Sequence, residues 1–290
     1  MLPGDFIAYK LTGEINTTRN GLSEGIIWDY KNNEIANWLL DYYGINPNLT
    51  PDLVDNFTNQ GATNSKSSEE TGLNIGIPIS YRAGDQPNNA LALNVFDNGE
   101  VAASGGTSGV IYSITKDINS KEPSRINHFA HVNYNDNNKS IGKLLCINGA
   151  GIQYRWLRNH SVGKSYEKMN EAASSIPVGS EGISVIPFGN GAERMLNNKN
   201  IGTHICNINL NQHSHGHLYR SSLEGIAFSF MYGMEILKND NALINVVRAG
   251  NDNLFRSKIF ANTVATLIGH EIEIYNTCLL YTSDAADDSG

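Results

Sequence analysis

Apolar residues recur along the chain with two different periods. At the helical period, Tyr219, Leu223, Ile226, Phe230 and Met234 share one face of a long helix starting near Gly216. The next helix carries Phe255, Ile259, Val264 and Leu267 inward. A helix is also expected from Asn33, which can cap it; Ile35, Trp38, Leu39 and Tyr43 share its face, and Gly44 ends it in a left-handed turn. Pro87 suits the first turn of a helix bearing Ala90, Leu91, Leu93 and Val95, and another helix runs through Ile152, Trp156 and Leu157. Short apolar runs read as strands at 77–83, 100–104, 110–114, 144–147, 183–187 and 243–247. The opening stretch 2–29 mixes apolar residues with the turn Thr12-Gly13-Glu14, and Pro47, Pro51 and the polar run 59–71 form a long surface connection. Strands alternating with helices, with glycine-rich turns at strand ends, predict an α/β protein with a domain boundary near Asp97.

The 290 residues suffice for about two domains, which excludes a disulfide-stapled miniprotein. With 40% hydrophobic and 17% charged residues the chain is globular, and 38 asparagines supply much of its polarity. A net charge of −8 disfavours nucleic acid and anionic membrane surfaces as partners. Cys146, Cys206 and Cys278 have no paired spacing, which fits free thiols in a reducing compartment, and no apolar run approaches the roughly 20 residues that span a bilayer. The expectation is a cytoplasmic protein, in which the Asn-x-Ser/Thr triplets at Asn16, Asn48, Asn56, Asn138 and Asn159 are coincidences of an Asn-rich chain.

In α/β sheets, ligands lie beyond the carboxyl ends of strands, so the glycine-rich turns are the first places to look for chemistry. Gly84-Asp85 leaves a carboxylate at a strand end without a sequence-adjacent cation, suited to a general base; the bland alternative is an ordinary helix cap. Gly105 to Gly109 offers backbone N–H groups and the Thr107 and Ser108 hydroxyls to an anion, although a plain hairpin explains it about as well. The segment 248–253 between a strand and a helix lets a nucleotide approach the backbone, or is a tight structural turn. Gly163-Lys164-Ser165 imitates the end of a P-loop, but Arg158 stands where the first glycine is required. His213, His215 and His217 precede a long helix and read as solvated rather than metal-bound, and no Gly-x-Ser-x-Gly elbow supports acyl transfer.

Taken in order, these turns resemble the FGGY family of carbohydrate kinases up to about Asn276. Met1 to Phe6 with Leu11-Thr12-Gly13-Glu14 is similar to the family's LP-D-----LTGE segment, and Ala83-Gly84-Asp85 to its Gly-Gly-Asp strand end. Gly106-Thr107-Ser108-Gly109 resembles the second phosphate loop, and Gly149 to Gln153 followed by Trp156-Leu157 a nucleotide-contacting turn. Gly191-Ala192-Glu193-Arg194 resembles the GER segment, and Leu223-Glu224-Gly225 the LEG helix.

The resemblance implies an actin-like ATPase fold of two ribonuclease H-like domains. Residues 1–97 would be the later part of the sugar-binding domain and 98–277 the nucleotide-binding domain, while 278–290 reads as a non-native-looking tail. It implies transfer of phosphate from ATP, with Mg²⁺, to a sugar. D-xylulose is the expected acceptor; gluconate, ribulose, rhamnulose and glycerol, or a non-catalytic binding role, are the alternatives. Asp85 would be the base and Gln86 would lie beside the sugar, while Gly106 and Thr107 would contact phosphates. Gly149, Gln153 and Gly250 would contact the nucleotide, and Asn253 would reach the adenine. Homodimerisation stays open. The family's Asp-x-Gly-Thr loop is not found in the sequence, and Arg248-Ala249-Gly250 stands where three glycines are common. The chain is therefore expected to be a fragment, inactive alone, with uncovered apolar surface around Trp28, Trp38 and Leu39.

Overall fold

The computed structural model describes residues 2–161 and 165–276. Gly163, Lys164, Cys278 and the tail 278–290 lie outside the described residues.

The amino-terminal segment is built of short pieces: α1 (Pro3–Thr12), β1 (Asn16–Thr18), α2 (Arg19–Glu24), β2 (Trp28–Asp29), β3 (Glu34–Ile35), α3 (Asn37–Tyr42), β4 (Asp52–Val54) and α4 (Ser65–Thr71). Helix α5 (Asp85–Ala92) then leads into β5 (Glu100–Gly105), β6 (Gly109–Thr115), β7 (Asn127–Ala130) and β8 (Ile141–Ile147). The rest alternates: α6 (Gly151–Asn159), α7 (Tyr166–Ser174), β9 (Ser184–Phe188), β10 (Gly202–Cys206), α8 (His215–Asn239), β11 (Val246–Gly250), α9 (Lys258–Ile268) and β12 (Ile272–Tyr275).

The main sheet has the strand order β12-β11-β5-β6-β8-β7. Strands β5, β6, β8 and β7 pair antiparallel, while β11 and β12 extend the other side of β5 in parallel. This mixed sheet, an antiparallel half grown outward by parallel strands, is the ribonuclease H-like arrangement. Alternation along the strands sorts side chains to two faces. Val101, Ala103, Ile111, Leu145 and Ile147 meet the buried stripe Leu223, Ile226, Phe230 and Met234 of α8 and Phe260 and Val264 of α9. Ala102, Tyr112, Ile114 and Leu144 face the other way, onto Ala90, Leu93 and Val95 at and just beyond the end of α5. A sheet covered on both faces accounts for its nearly unbroken apolar strands.

The amino-terminal segment covers the edge strand β7. Asn20 Nδ2 donates to the Ala130 carbonyl at 2.6 Å, and the Ala130 N–H donates to Ser23 Oγ at 2.8 Å, so α2 satisfies both backbone groups of an edge residue. Leu22 and Trp28 pack with Ala130, Tyr134 and Ile141 beside that contact. At the surface Arg19 pairs with both Asp55 and Asp136. Deep inside, Lys143 Nζ lies 2.7 Å from Asp240 Oδ2, and both side chains are fully buried. This pair joins the middle of β8 to the end of α8.

Several expectations are corrected. The helix near Asn33 begins only at Asn37: Asn33 has φ +57° and donates to Asp136, and Ile35 belongs to β3, paired with Trp28. Segment 77–83 forms no strand beyond the Ala62 to Pro78 bridge: the Thr63 N–H reaches the Ile77 carbonyl and the Ile79 N–H the Gly61 carbonyl, but the Gly61 N–H turns to Asn59 Oδ1 and the Thr63 carbonyl to the Gly76 N–H, which ends the ladder on both sides. The strand expected at 243–247 is β11, three residues later. Phe255 lies in a 3₁₀ turn before α9, and the opening stretch forms the helix α1. Trp28 is buried, so of the surface expected to be uncovered only Trp38 is widely exposed, with Leu39 half-buried.

His131 is fully buried, edge-on to Phe96 and with its Nδ1 3.3 Å from the Tyr112 hydroxyl. Burial pulls its imidazole down to about 4, against weaker upward pulls from Val95 and Glu100. Between that value and the ordinary 6.5, the unfolded chain binds a proton that the folded chain refuses, so this residue costs stability as pH falls. The loss reaches about 2 kcal/mol at pH 5. His131→Phe is expected to remove this contribution, measured as a smaller difference in urea midpoint between pH 7 and pH 5 than in the unsubstituted protein. Parallel pH profiles of the two proteins would show that His131 stays protonatable when folded.

Candidate active site

The β5–β6 hairpin and the start of α6 are locked together through their backbones. The N–H of Gly151 donates to the Gly106 carbonyl at 3.0 Å, that of Ile152 to the Thr107 carbonyl at 3.1 Å, and Ser108 Oγ to Asn148 Oδ1 at 3.1 Å. A Cβ on Gly151 would lie 2.2 Å from the Gly106 oxygen, so only glycine allows this approach. Between this junction and the segment 253–257 opens a cavity of about 1180 Å³. The hairpin gives it Gly105, Gly106 and Thr107; α6 gives Tyr154, Arg155 and Arg158; α7 gives Tyr166 and Asn170. Asn253, Leu254, Arg256 and Ser257 close the other side.

Arg155, Arg158 and Arg256, against the one acid Glu167, leave the cavity wall locally cationic in a chain of net charge −8. Arg158 lies over the Tyr166 ring at 4.6 Å, and that ring stacks on Tyr154 at 5.7 Å, so a flat, cationic wall lines one end. The volume accommodates a nucleoside triphosphate, with glycine backbone at one end and aromatic and amide side chains at the other.

Of the residues singled out in the sequence, the cavity brings together Gly106, Thr107 and Asn253. Three others stand in its framework. Gly149, at φ +89°, is pressed against the Pro187 carbonyl of β9. Gln153 is buried and accepts from Thr203 Oγ1 at 2.7 Å, with its Nε2 unpartnered among the described residues. Gly250 ends β11, next to Asp252.

Asp85 is exposed at the first position of α5, and Gly84 is the cap residue, so the bland cap reading of Asp85 does not apply. Its Oδ1 accepts from the Gln86 N–H at 2.7 Å and its Oδ2 from Gln86 Nε2 at 3.3 Å. Its charge reaches Cys146, where burial, chiefly, with Glu193 and Asp85 pushes the thiol up to about 11. Cys146 pairs with Val110 in the ladder, next to the hairpin, so Asp85 and the cavity share one end of the sheet. The Gly84 N–H donates to Asn20 Oδ1 at 2.8 Å, and Glu24, one turn further along α2, lies against Gly84 with its carboxyl pushed up to about 7 by burial and then by Asp85 and Asp5.

Residues 1–92 match the family model described as FGGY family of carbohydrate kinases, N-terminal domain, and residues 101–277 match that family's C-terminal domain. The chain belongs to the FGGY family of carbohydrate kinases. It is 23% identical over 288 residues to the xylulose kinase of Staphylococcus xylosus, covering 97% of this chain and 59% of that one. It is likewise 23% identical over 248 residues to the xylulose kinase of Bacillus subtilis, covering 85% and 49%. Among solved structures, xylulose kinase from Rhodospirillum rubrum superposes with a TM-score of 0.81 at 23% identity, over 93% of this chain and 54% of that one. Plasmodium falciparum glycerol kinase with ADP gives a TM-score of 0.84 at 19% identity, over 94% and 54%. This FGGY chain thus has the actin-like ATPase fold and spans about half the length of the curated relatives that it matches. No helix among its described residues is long and apolar enough to cross a membrane.

The arginines Arg155, Arg158 and Arg256 were not legible as site residues, since charged helical positions ordinarily face water. Their concentration beside two glycine-rich turns of an acidic chain is the signal that points to them. Asn20 carries no such signal, because its partners Gly84 and Ala130 are 64 and 110 residues away. Asn20→Ala leaves both backbone groups unsatisfied in a buried place, an expected loss of about 2 to 5 kcal/mol. Urea unfolding measures it; a change within about 0.5 kcal/mol would mean that water replaces the amide at no cost.

Proposed function

We propose that this FGGY chain binds ATP in the arginine-lined cavity and works in the phosphorylation of a sugar, with Asp85 as the general base. The observation that carries the reading is the cavity bounded by Gly106, Thr107 and Asn253 at the same sheet end as an exposed carboxylate. The triphosphate lies along Gly106 and Thr107, and the adenine reaches toward Asn253. Gln86, adjacent to Asp85, meets the sugar, and Gly149, Gln153 and Gly250 support the nucleotide from the surrounding framework.

Asp85 takes the proton of the sugar hydroxyl as that oxygen forms a bond to the γ-phosphorus. The bond from the γ-phosphorus to the bridging oxygen breaks, and ADP leaves with that electron pair. Mg²⁺ offsets phosphate charge in such transfers. D-xylulose is the acceptor we favour: curated relatives matching 85% or more of the chain are named xylulose kinase, alongside two named probable L-xylulose kinase. Gluconate and glycerol are the competing acceptors, because solved neighbours carry those names.

In the sugar-phosphorylating protein, Asp85→Asn is expected to lower turnover about 100- to 10,000-fold, the usual worth of a general base, with ATP affinity kept. Coupled ADP release with ATP, Mg²⁺ and each of the three acceptors reads both the effect and the preferred sugar; undiminished turnover removes Asp85 from the mechanism. Gly106→Val is expected to weaken ATP far more than sugar, because a branched side chain occupies phosphate space at the hairpin. Calorimetric titration with each ligand tests this, and equal losses would make the hairpin a purely structural turn.

A further inference from the structure

Glu24, half-buried with its Oε1 fully covered, stands out among the polar groups that the kinase reading leaves unused. It ends α2, and its carboxyl lies directly on the Cα of Gly84: a Cβ there would sit 1.5 Å from Oε1 and 2.1 Å from Oε2. Only glycine at 84 permits this contact. Oε1 is buried and has no hydrogen-bond partner among the described residues. From the same helix Asn20 accepts the Gly84 N–H, so α2 grips the residue before Asp85 by its amide and by its Cα.

We propose that Glu24 is a positioning residue for Asp85, its carboxyl wedged on the Cα of Gly84 and holding the turn that presents the base. This rests on the reading of Asp85 as the general base. The groups around the wedge favour the uncharged form. Asp85 faces it from α5, and Asp5 from α1; Asp5 is paired with Arg82 at 3.0 Å. Tyr30 and Tyr112, also within its field, are themselves held protonated by burial. Arg19, on the same helix, is engaged with Asp55 and Asp136. Burial first, and then the two aspartates, lift the Glu24 carboxyl from 4.5 to about 7. An ionised Glu24 places a second negative charge beside Asp85 and beside any phosphate that approaches it.

The test is a carboxyl ¹³C NMR titration of the full chain labelled at Asp and Glu side chains, with Glu24→Gln and Asp85→Asn serving both for assignment and as variants. Glu24 is expected to titrate with a midpoint near 7, and the Asp85 resonance to shift with that same midpoint. In Glu24→Gln the Asp85 shift near pH 7 is lost. In Asp85→Asn the Glu24 midpoint moves down, because one of its two negative neighbours is gone. Glu24 titrating in the ordinary carboxylate range, or an Asp85 shift that persists in Glu24→Gln, overturns the proposal. Should Glu24→Gln fail to fold, the unsubstituted protein and Asp85→Asn decide it by the midpoint alone. The kinetic counterpart is sugar-dependent kcat/KM, expected to fall about tenfold per pH unit above a break near 7 and to lose that break in Glu24→Gln. Absence of sugar-dependent turnover in the sugar-phosphorylating protein, rather than in residues 1–290 alone, would defeat the kinase reading, while the resonances still decide what Glu24 does to Asp85.

Discussion

Both backbone groups of Ala130 and the N–H of Gly84 end on side chains of one six-residue helix, α2. Without Asn20 and Ser23 the edge of the main sheet and the turn before Asp85 would each keep unsatisfied buried amides. The same helix thus closes the sheet edge and sets the Asp85 turn against it. Helix α5 anchors Asp85 from the opposite direction, since Ala90, Leu93 and Val95 at its far end sit in the core formed with Ala102, Tyr112 and Leu144. The carboxylate itself stays exposed while the chain on both sides of it is fixed. This is the arrangement that a reacting group needs: a carboxylate open to solvent and bonded only to its neighbour Gln86, with no freedom of place.

What the sequence made legible follows from how local each signal is. The stripe Tyr219 to Met234 repeats over four turns, and α8 appears where it predicts. The hairpin of β5 and β6 has five small residues between two apolar runs, and it forms in that register. Short elements were harder. Around Asn33, a cap residue and a helical face were both present, yet pairing of Ile35 with Trp28 held the chain extended for three more residues. In 77–83 the apolar residues are extended but meet only a bridge, because the backbone groups beside it turn to Asn59 and Gly76 instead of continuing the ladder. At the candidate site the glycine turns could be read, since they are contiguous in sequence. Asn20 and Glu24 could not, since their meaning arises only when Gly84 folds onto them from 64 and 60 positions away.

The two kinds of ion pair in the molecule differ in what surrounds them. Lys143 and Asp240 are wholly enclosed, so dissolved ions reach neither partner. Arg19 is mostly covered, but its partners Asp55 and Asp136 are exposed by 59% and 68%, and mobile ions gather around them within a screening length of about 8 Å at physiological salt. Ionic strength therefore acts on the molecule unevenly. It leaves the bolt between β8 and α8 untouched and slackens the strap that Arg19 draws from the 55–57 loop to the 133–138 loop, making salt a selective solvent for the joint between the amino-terminal segment and the sheet.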